Sequence, residues 1–115
     1  MSMLHWNEYL KQVLSGVGDI GRLSPDIVRG YQALGGASAK TGLLGTKVNE
    51  LIALAVAVTV RCDGCIAVHT AAAIREGATR EEIVEAMGTA AAVNAGAAIV
   101  YTARALDAHR AERGG

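Results

Sequence analysis

The sequence has no phenylalanine, one proline and two cysteines among 115 residues. With aromatic residues at 3%, it offers no platform on which nucleic-acid bases could stack. Lysine and arginine number 11, aspartate and glutamate also 11, so the net charge is zero. The basic residues form no cluster, whereas a nucleic-acid surface needs concentrated positive charge. We therefore expect no nucleic-acid partner.

Length and composition indicate one domain spanning residues 1–115, with no internal repeat and no linker. The chain is 51% hydrophobic, but it has 22 alanines and 14 glycines. Small residues let helix backbones approach closely, yet each supplies little apolar area. We therefore predict that an oligomer interface supplements thin packing within the subunit.

Two segments bear on where in the cell the protein is located. Residues 1–14 include His5, Glu8 and Lys11, so they lack the uninterrupted apolar core of a signal peptide. Residues 86–103 carry no charge and are long enough to consider as a membrane span, but they are mostly alanine with several polar side chains. We interpret them as a buried or intersubunit helix, and we expect a soluble cytoplasmic protein with no membrane partner.

The hydrophobic pattern predicts an all-α fold of about six helices. Ser24 is the predicted cap of the second, which begins at Pro25 and ends at Gly35-Gly36, before a loop over 37–45. Thr46 is the predicted cap of the third, whose run 51–58 is apolar all round, which indicates burial. The predicted helices cover residues 4–14, 25–34, 47–58, 62–76, 80–93 and 97–110, with a break or kink at 94–96.

The clearest end signals lie in the middle of the chain. Gly77 predicts a left-handed stop for the fourth helix. Thr79 followed by Glu82 three residues later is a capping box for the fifth.

Both cysteines and one histidine fall within a single short stretch. Cys62, Cys65 and His69 have spacings i, i+3 and i+7, which places them within roughly 60° on one helix face. At a helix start, the backbone N–H groups and the dipole favour a thiolate. One thiol could be oxidised to a sulfenic acid and resolved by the other as a disulfide, while His69 moves a proton.

Two other interpretations remain open for these residues. They could be structural cysteines beside a core histidine, or they could bind zinc as three ligands. The fourth zinc ligand would then come from this group: Glu50, His5, His109 or a residue of another subunit. A thioredoxin-type fold is disfavoured because the strands that flank its motif are missing.

Three segments together resemble a known family: ELIALAVA at 50–57, CDGCIAVH at 62–69 and EGATREEIVEA at 76–86. They are similar to the carboxymuconolactone decarboxylase superfamily, in particular its alkylhydroperoxidase AhpD-like branch, over residues 23–105. The resemblance implies an all-helical subunit that assembles as trimers or hexamers. It also implies thiol-dependent reduction of hydroperoxides or disulfides, with an external dithiol or lipoyl-type reductant and neither metal nor organic cofactor.

The resemblance also assigns roles by position. Cys65 corresponds to the peroxidatic nucleophile and Cys62 to the resolving thiol, while His69 and Glu50 correspond to a proton relay that activates Cys65. Some relatives have histidine where this chain has Gly64, which removes one relay member. Many have Gly-Gly-Pro near residues 94–97, where this chain reads Asn-Ala-Gly-Ala.

One geometric condition follows from the assigned roles. Glu50 and Cys62 are twelve residues apart, or about 18 Å along a straight helix. We therefore predict a bend near Arg61, without which Glu50 could reach the thiols only from another subunit.

Two alternatives to the thiol peroxidase remain: a decarboxylase or lactone-processing enzyme of the same superfamily, and a non-enzymatic oligomeric helical module whose cysteines bind zinc or fill a core.

Overall fold

A computed structural model describes residues 2–114, and these form helices joined by short turns. The five helices are α1 (Trp6–Leu23), α2 (Pro25–Thr41), α3 (Thr46–Val60), α4 (Asp63–Arg75) and α5 (Arg80–Glu112). No strand occurs between residues 2 and 114. The all-α prediction is confirmed, whereas the predicted number of about six helices is wrong.

Three helices are longer than the sequence pattern predicted. α1 continues past residue 14 to Leu23, and α2 passes through Gly35-Gly36 to Thr41, so only 42–45 remains of the predicted loop. A glycine within a helix costs only about 1 kcal/mol relative to alanine, which neighbouring residues can offset. α5 is continuous through the predicted break at 94–96, and within it the Asn94 side chain donates to the Ala90 carbonyl and to the Thr59 hydroxyl of α3.

The end of α4 and the start of α5 lie where Gly77 and the capping box predicted them. Gly77 has φ +87°, and the N–H groups of Gly77 and Ala78 donate back to the carbonyls of Ile74 and Ala73. Thr79 then caps α5, since its hydroxyl accepts the Glu82 N–H while the Glu82 carboxylate accepts the Thr79 N–H. Both predictions are confirmed.

Of the two other predicted caps, one holds in position and the other is wrong. Ser24 is the N-cap residue of α2 and Pro25 is its first residue, as predicted, but the Ser24 side chain makes no capping hydrogen bond. The residue that caps α3 is Gly45, and Thr46 is the first helical residue, whose hydroxyl donates to Glu76 at the far end of α4.

The centre of the molecule is the antiparallel pair α3 and α4, which make the most extensive helix–helix packing. α1 packs on α4 and on α2, and α5 packs on α3. The buried hydrophobic residues all lie on the central pair: Leu54, Ala57, Ala67 and Ala73. Three of the four are alanines, so the backbones can approach closely while burying little apolar area.

The outer faces of α3 and α5 are not covered by the rest of the subunit. Ile52 and Val56 of α3 are 49% and 56% exposed, so the prediction that residues 51–58 are buried on all sides is wrong for the single chain. On α5, every residue from 91 to 112 is exposed. This helix is long and apolar enough to cross a membrane by length and composition, which alone is weak support for a span.

The subunit exposes more surface than a compact monomer of its size. Its accessible surface is 8932 Å² at 11.8 kDa, whereas a folded monomer of that mass exposes about 5,900 Å². Its radius of gyration is 18.8 Å, against about 13 Å for a compact domain of this length. Exposed apolar side chains occur on α2, α3 and α5, with Leu34 at 78%, Val56 at 56% and Ile99 at 72%.

Candidate functional site at the cysteine turn

The turn between α3 and α4 places both cysteines at a helix start. Arg61 ends α3 in the left-handed conformation, with φ 57° and ψ 52°, which is uncommon for a residue with a side chain. The Cys62 N–H donates to the Ala57 carbonyl at 3.0 Å, which closes the end of α3. The chain then reverses direction, so the bend predicted near Arg61 is confirmed.

Cys62 is the N-cap of α4, and its sulfur makes the capping hydrogen bond. The Cys62 Sγ accepts the backbone N–H of Cys65 at 3.1 Å. The two cysteines form a disulfide, with their Cα atoms 5.2 Å apart. Since the unpaired N–H groups at a helix start stabilise negative charge, the Cys62 sulfur is placed where a thiolate is favoured when the disulfide opens. Asp63, in the same turn, is exposed, so water screens its opposing charge.

His69 lies one turn beyond Cys65 and contacts Glu50 of the neighbouring helix. The Nδ1 atom of His69 is 2.7 Å from Oε2 of Glu50, and the two side chains are 28% and 26% exposed. The antiparallel arrangement brings them together, because residues near the start of α3 lie beside the later turns of α4. The Thr46–Glu76 hydrogen bond at 2.6 Å shows the same register.

The start of α3, which carries Glu50, is also attached to α5. The Lys47 ammonium lies 2.7 Å from the Glu82 carboxylate. That ammonium, together with the Thr79 N–H, holds the pKa of the Glu82 carboxyl below its ordinary value of 4.5. The capping box of α5 and the ion pair therefore share one carboxylate, and together they connect the first turn of α5 to the helix that presents Glu50.

A cavity of about 340 Å³ opens beside the disulfide. Cys62, Cys65 and His69 all contribute to its lining, and Glu50 stands behind His69 and reaches the cavity only through it. The remaining walls are mostly aliphatic; Gly64 and Val68 belong to α4, and the rest come from α1 and α2. The structure thus brings together all four candidate residues: three line the cavity, and Glu50 is hydrogen-bonded to one of them, His69.

The cavity includes residues that the sequence analysis did not select as site residues. Val13 and Val17 of α1, and Val28, Tyr31 and Gln32 of α2, line it opposite the cysteines. The i, i+4 spacing of the two α1 valines marks the inner face of an amphipathic helix. That signal locates an apolar face, but it does not show what the face covers.

The metal interpretation finds no additional ligand in the structure. Within residues 2–114 there is no group of three or more histidine, cysteine, aspartate or glutamate side chains arranged to hold a metal ion. In this oxidised form the two sulfurs are bonded to each other.

Comparisons with known proteins show the family to which the chain belongs. Residues 25–108 match the carboxymuconolactone decarboxylase family. An uncharacterized protein of Haemophilus influenzae is 44% identical over 108 residues, covering 94% of this chain and 96% of its own length. "Uncharacterized protein 4 in cox locus" of Paracoccus denitrificans is 38% identical, covering 80% of this chain and 83% of its own. An uncharacterized protein of Cupriavidus necator is 33% identical, covering 84% and 86%. The chain therefore belongs to the carboxymuconolactone decarboxylase family.

Proposed function

We propose that this protein is a thiol-dependent reductase of hydroperoxides that works through the Cys62–Cys65 pair. The observation that supports this most is one shared cavity lined by the disulfide and by His69, whose other side is hydrogen-bonded to Glu50. A thiol pair supplies two electrons, and an imidazole held by a carboxylate supplies a route for the proton.

In the peroxide step, His69 takes the proton of the Cys65 thiol. The Cys65 thiolate then attacks the terminal oxygen of the hydroperoxide, so that a sulfur–oxygen bond forms and the oxygen–oxygen bond breaks. The alkoxide that leaves takes the proton from the His69 imidazolium and departs as an alcohol. Cys65 is oxidised to a sulfenic acid, and the peroxide is reduced by two electrons.

In the resolving step, the Cys62 thiolate attacks the sulfenic sulfur of Cys65. The sulfur–oxygen bond breaks and hydroxide leaves, becoming water with one proton, so that the disulfide seen in the structure is formed. The Cys65 N–H can stabilise the Cys62 thiolate at the helix N-cap, which keeps Cys62 ionised for its attack on the sulfenic sulfur.

An external dithiol, such as a lipoyl-type reductant, closes the cycle. One of its thiolates attacks the Cys65 sulfur, and Cys62 leaves as the thiolate that the Cys65 N–H stabilises. The second thiol of the reductant then displaces Cys65, so two electrons pass to the protein and the reductant ends as a disulfide. Without peroxide, a disulfide substrate can take its place: it accepts the two electrons of the reduced pair and re-forms the Cys62–Cys65 disulfide, which makes the cycle that of a disulfide reductase.

The experiment is turnover of cumene hydroperoxide with dihydrolipoamide by the wild type, Cys65→Ser and Cys62→Ser. We expect Cys65→Ser to lose activity. Cys62→Ser, reduced beforehand and then freed of dithiol, should consume about one equivalent of peroxide and leave a sulfenic acid that dimedone traps. Wild-type activity in Cys65→Ser would refute the proposal. So would activity on a lactone that survives thiol alkylation, or about one zinc per chain with both thiols blocked.

We also propose that the protein acts as a cytoplasmic homo-oligomer, a trimer or hexamer, that contacts its neighbours through the outer half of α5. Five large hydrophobic residues there are 61% to 72% exposed: Val93, Ile99, Val100, Tyr101 and Leu106. A second copy suits this face better than lipid, because the helix also exposes small and polar residues.

A further inference from the structure

The cysteine cavity depends on a helix that precedes the family match. The match begins at residue 25, whereas α1 spans Trp6–Leu23. Even so, α1 packs against α4, and its residues Val13 and Val17 line the same cavity as the disulfide. Without α1, this site would open directly to solvent on that side.

Gly64, between the two cysteines, is a point where α1 approaches α4 closely. A Cβ atom added there would lie 3.4 Å from Cγ2 and 3.6 Å from Cγ1 of Val13. Gly64 is helical, so its backbone does not require glycine, and the absence of a side chain matters for space alone. A methyl group fits at ordinary contact distance, but any longer side chain meets Val13 and must displace it or the helix that carries it.

Near its other end, α1 makes a second close contact at a glycine, this time with α2. A Cβ atom on Gly21 would lie 3.4 Å from Cγ2 of Val28, which also lines the cavity from α2. Two glycines thus let α1 lie close to α4 at one point and to α2 at another. The aliphatic wall is therefore a packed part of the fold rather than a loose terminal segment.

We propose that α1 is the specificity-determining wall of the site. Val13 and Val17 favour hydroperoxides with an apolar substituent over hydrogen peroxide, and Gly64 is the residue that allows this wall to close. The inference rests on the proposed function and extends it. An apolar substituent gains free energy when it leaves water against these side chains, whereas hydrogen peroxide has no such group to bury.

The test compares kcat/KM for cumene hydroperoxide and for hydrogen peroxide, with one dithiol donor. Val17→Ala removes two carbon atoms of apolar contact, so we expect the ratio of the two values to fall about tenfold while hydrogen peroxide turnover changes less than about twofold. Gly64→Gln, which adds bulk without a group that could relay a proton, displaces the wall and should lower the ratio further. Gln12→Ala, on the exposed face of the same helix, should leave the ratio unchanged. An unchanged ratio in both cavity variants, or equal losses for both peroxides, would overturn the proposal.

A second measurement does not depend on peroxidase activity. In the reduced Cys62→Ser background only Cys65 reacts, and its labelling rates by N-phenylmaleimide and N-methylmaleimide can be compared. The reactive group is the same, so the ratio of rates reports how well the cavity accepts an apolar ring. We expect Val17→Ala to lower this ratio and Gln12→Ala to preserve it. If the wild type reduces neither peroxide but the labelling ratio follows this pattern, the proposed function is wrong and the proposal that α1 determines specificity is supported. If Val17→Ala does not change the labelling ratio, the proposal for α1 is wrong.

Discussion

The Glu50–His69 contact allows the sharpest test of the proton relay. Glu50→Gln keeps the shape of the side chain and removes its charge. In the proposed cycle His69 becomes an imidazolium when it takes the Cys65 proton, and the Glu50 carboxylate stabilises that charge. We therefore expect Glu50→Gln to slow peroxide reduction while the fold is retained.

The size of the effect follows from the geometry of the contact. The two atoms are 2.7 Å apart, and the side chains are 26% and 28% exposed. Opposite unit charges at this separation attract by about 1.5 kcal/mol at the dielectric constant of water and by about 6 kcal/mol at an effective value of 20. Partial exposure favours the lower part of this range, in line with about 1.5–3 kcal/mol for a hydrogen bond to a charged group. The expected loss in kcat/KM is therefore about 10- to 150-fold.

The assay is cumene hydroperoxide turnover with a dithiol donor, measured for Glu50→Gln, His69→Ala and the double variant. Because Glu50 acts through His69, its substitution should cost almost nothing further in the His69→Ala background. Glu85→Gln, an exposed carboxylate on α5, is the control for general charge effects and should resemble the wild type. Wild-type kcat/KM in Glu50→Gln, or losses that simply multiply in the double variant, would show that the reasoning is wrong.

Three further predictions concern stability and assembly. Thr79→Ala removes the cap of α5 and should lower the free energy of unfolding by about 1 kcal/mol in urea denaturation; an unchanged value would contradict the capping box. The pKa of Glu82 is lowered in the folded state, so its stabilising effect is present above its ordinary pKa of 4.5 and is lost as the pH falls through the lower folded value. The stability difference between wild type and Lys47→Met should therefore shrink on acidification below pH 4.5, and a constant difference would refute the linkage. Light scattering should give the wild type a mass three or six times 11.8 kDa and Val100→Glu the monomer mass, whereas a monomeric wild type would contradict assembly through α5.

Much of the local structure is predictable because its causes lie within a few residues. The capping box at Thr79 and Glu82 and the left-handed stop at Gly77 are both decided by side chains and backbone freedom inside one turn. Glycines within helices are harder, since their modest cost can be offset by contacts that the sequence does not reveal. For that reason α2 passes through Gly35-Gly36, and α5 passes through the segment at 94–96.

Burial was the least predictable property. Residues 51–58 are apolar on every side, which indicates a buried helix, yet Ile52 and Val56 are exposed in the single chain. A hydrophobic pattern shows that a face should be covered, but not whether the same chain or another one covers it. The uncovered faces of α3 and α5 are consistent with the alanine-rich composition, which supplies little apolar area within the subunit.

The sequence by itself determined which residues form the candidate site and where they stand on their helices. The spacing of Cys62, Cys65 and His69 places them on one face, and the family resemblance adds Glu50. Only the tertiary structure decided that Glu50 meets His69, because that contact depends on the chain reversing at Arg61 and on the register of α3 against α4. The wall supplied by α1 was likewise decided by tertiary packing: the close approach of Val13 to Gly64 joins residues far apart in the chain, and no local pattern records it.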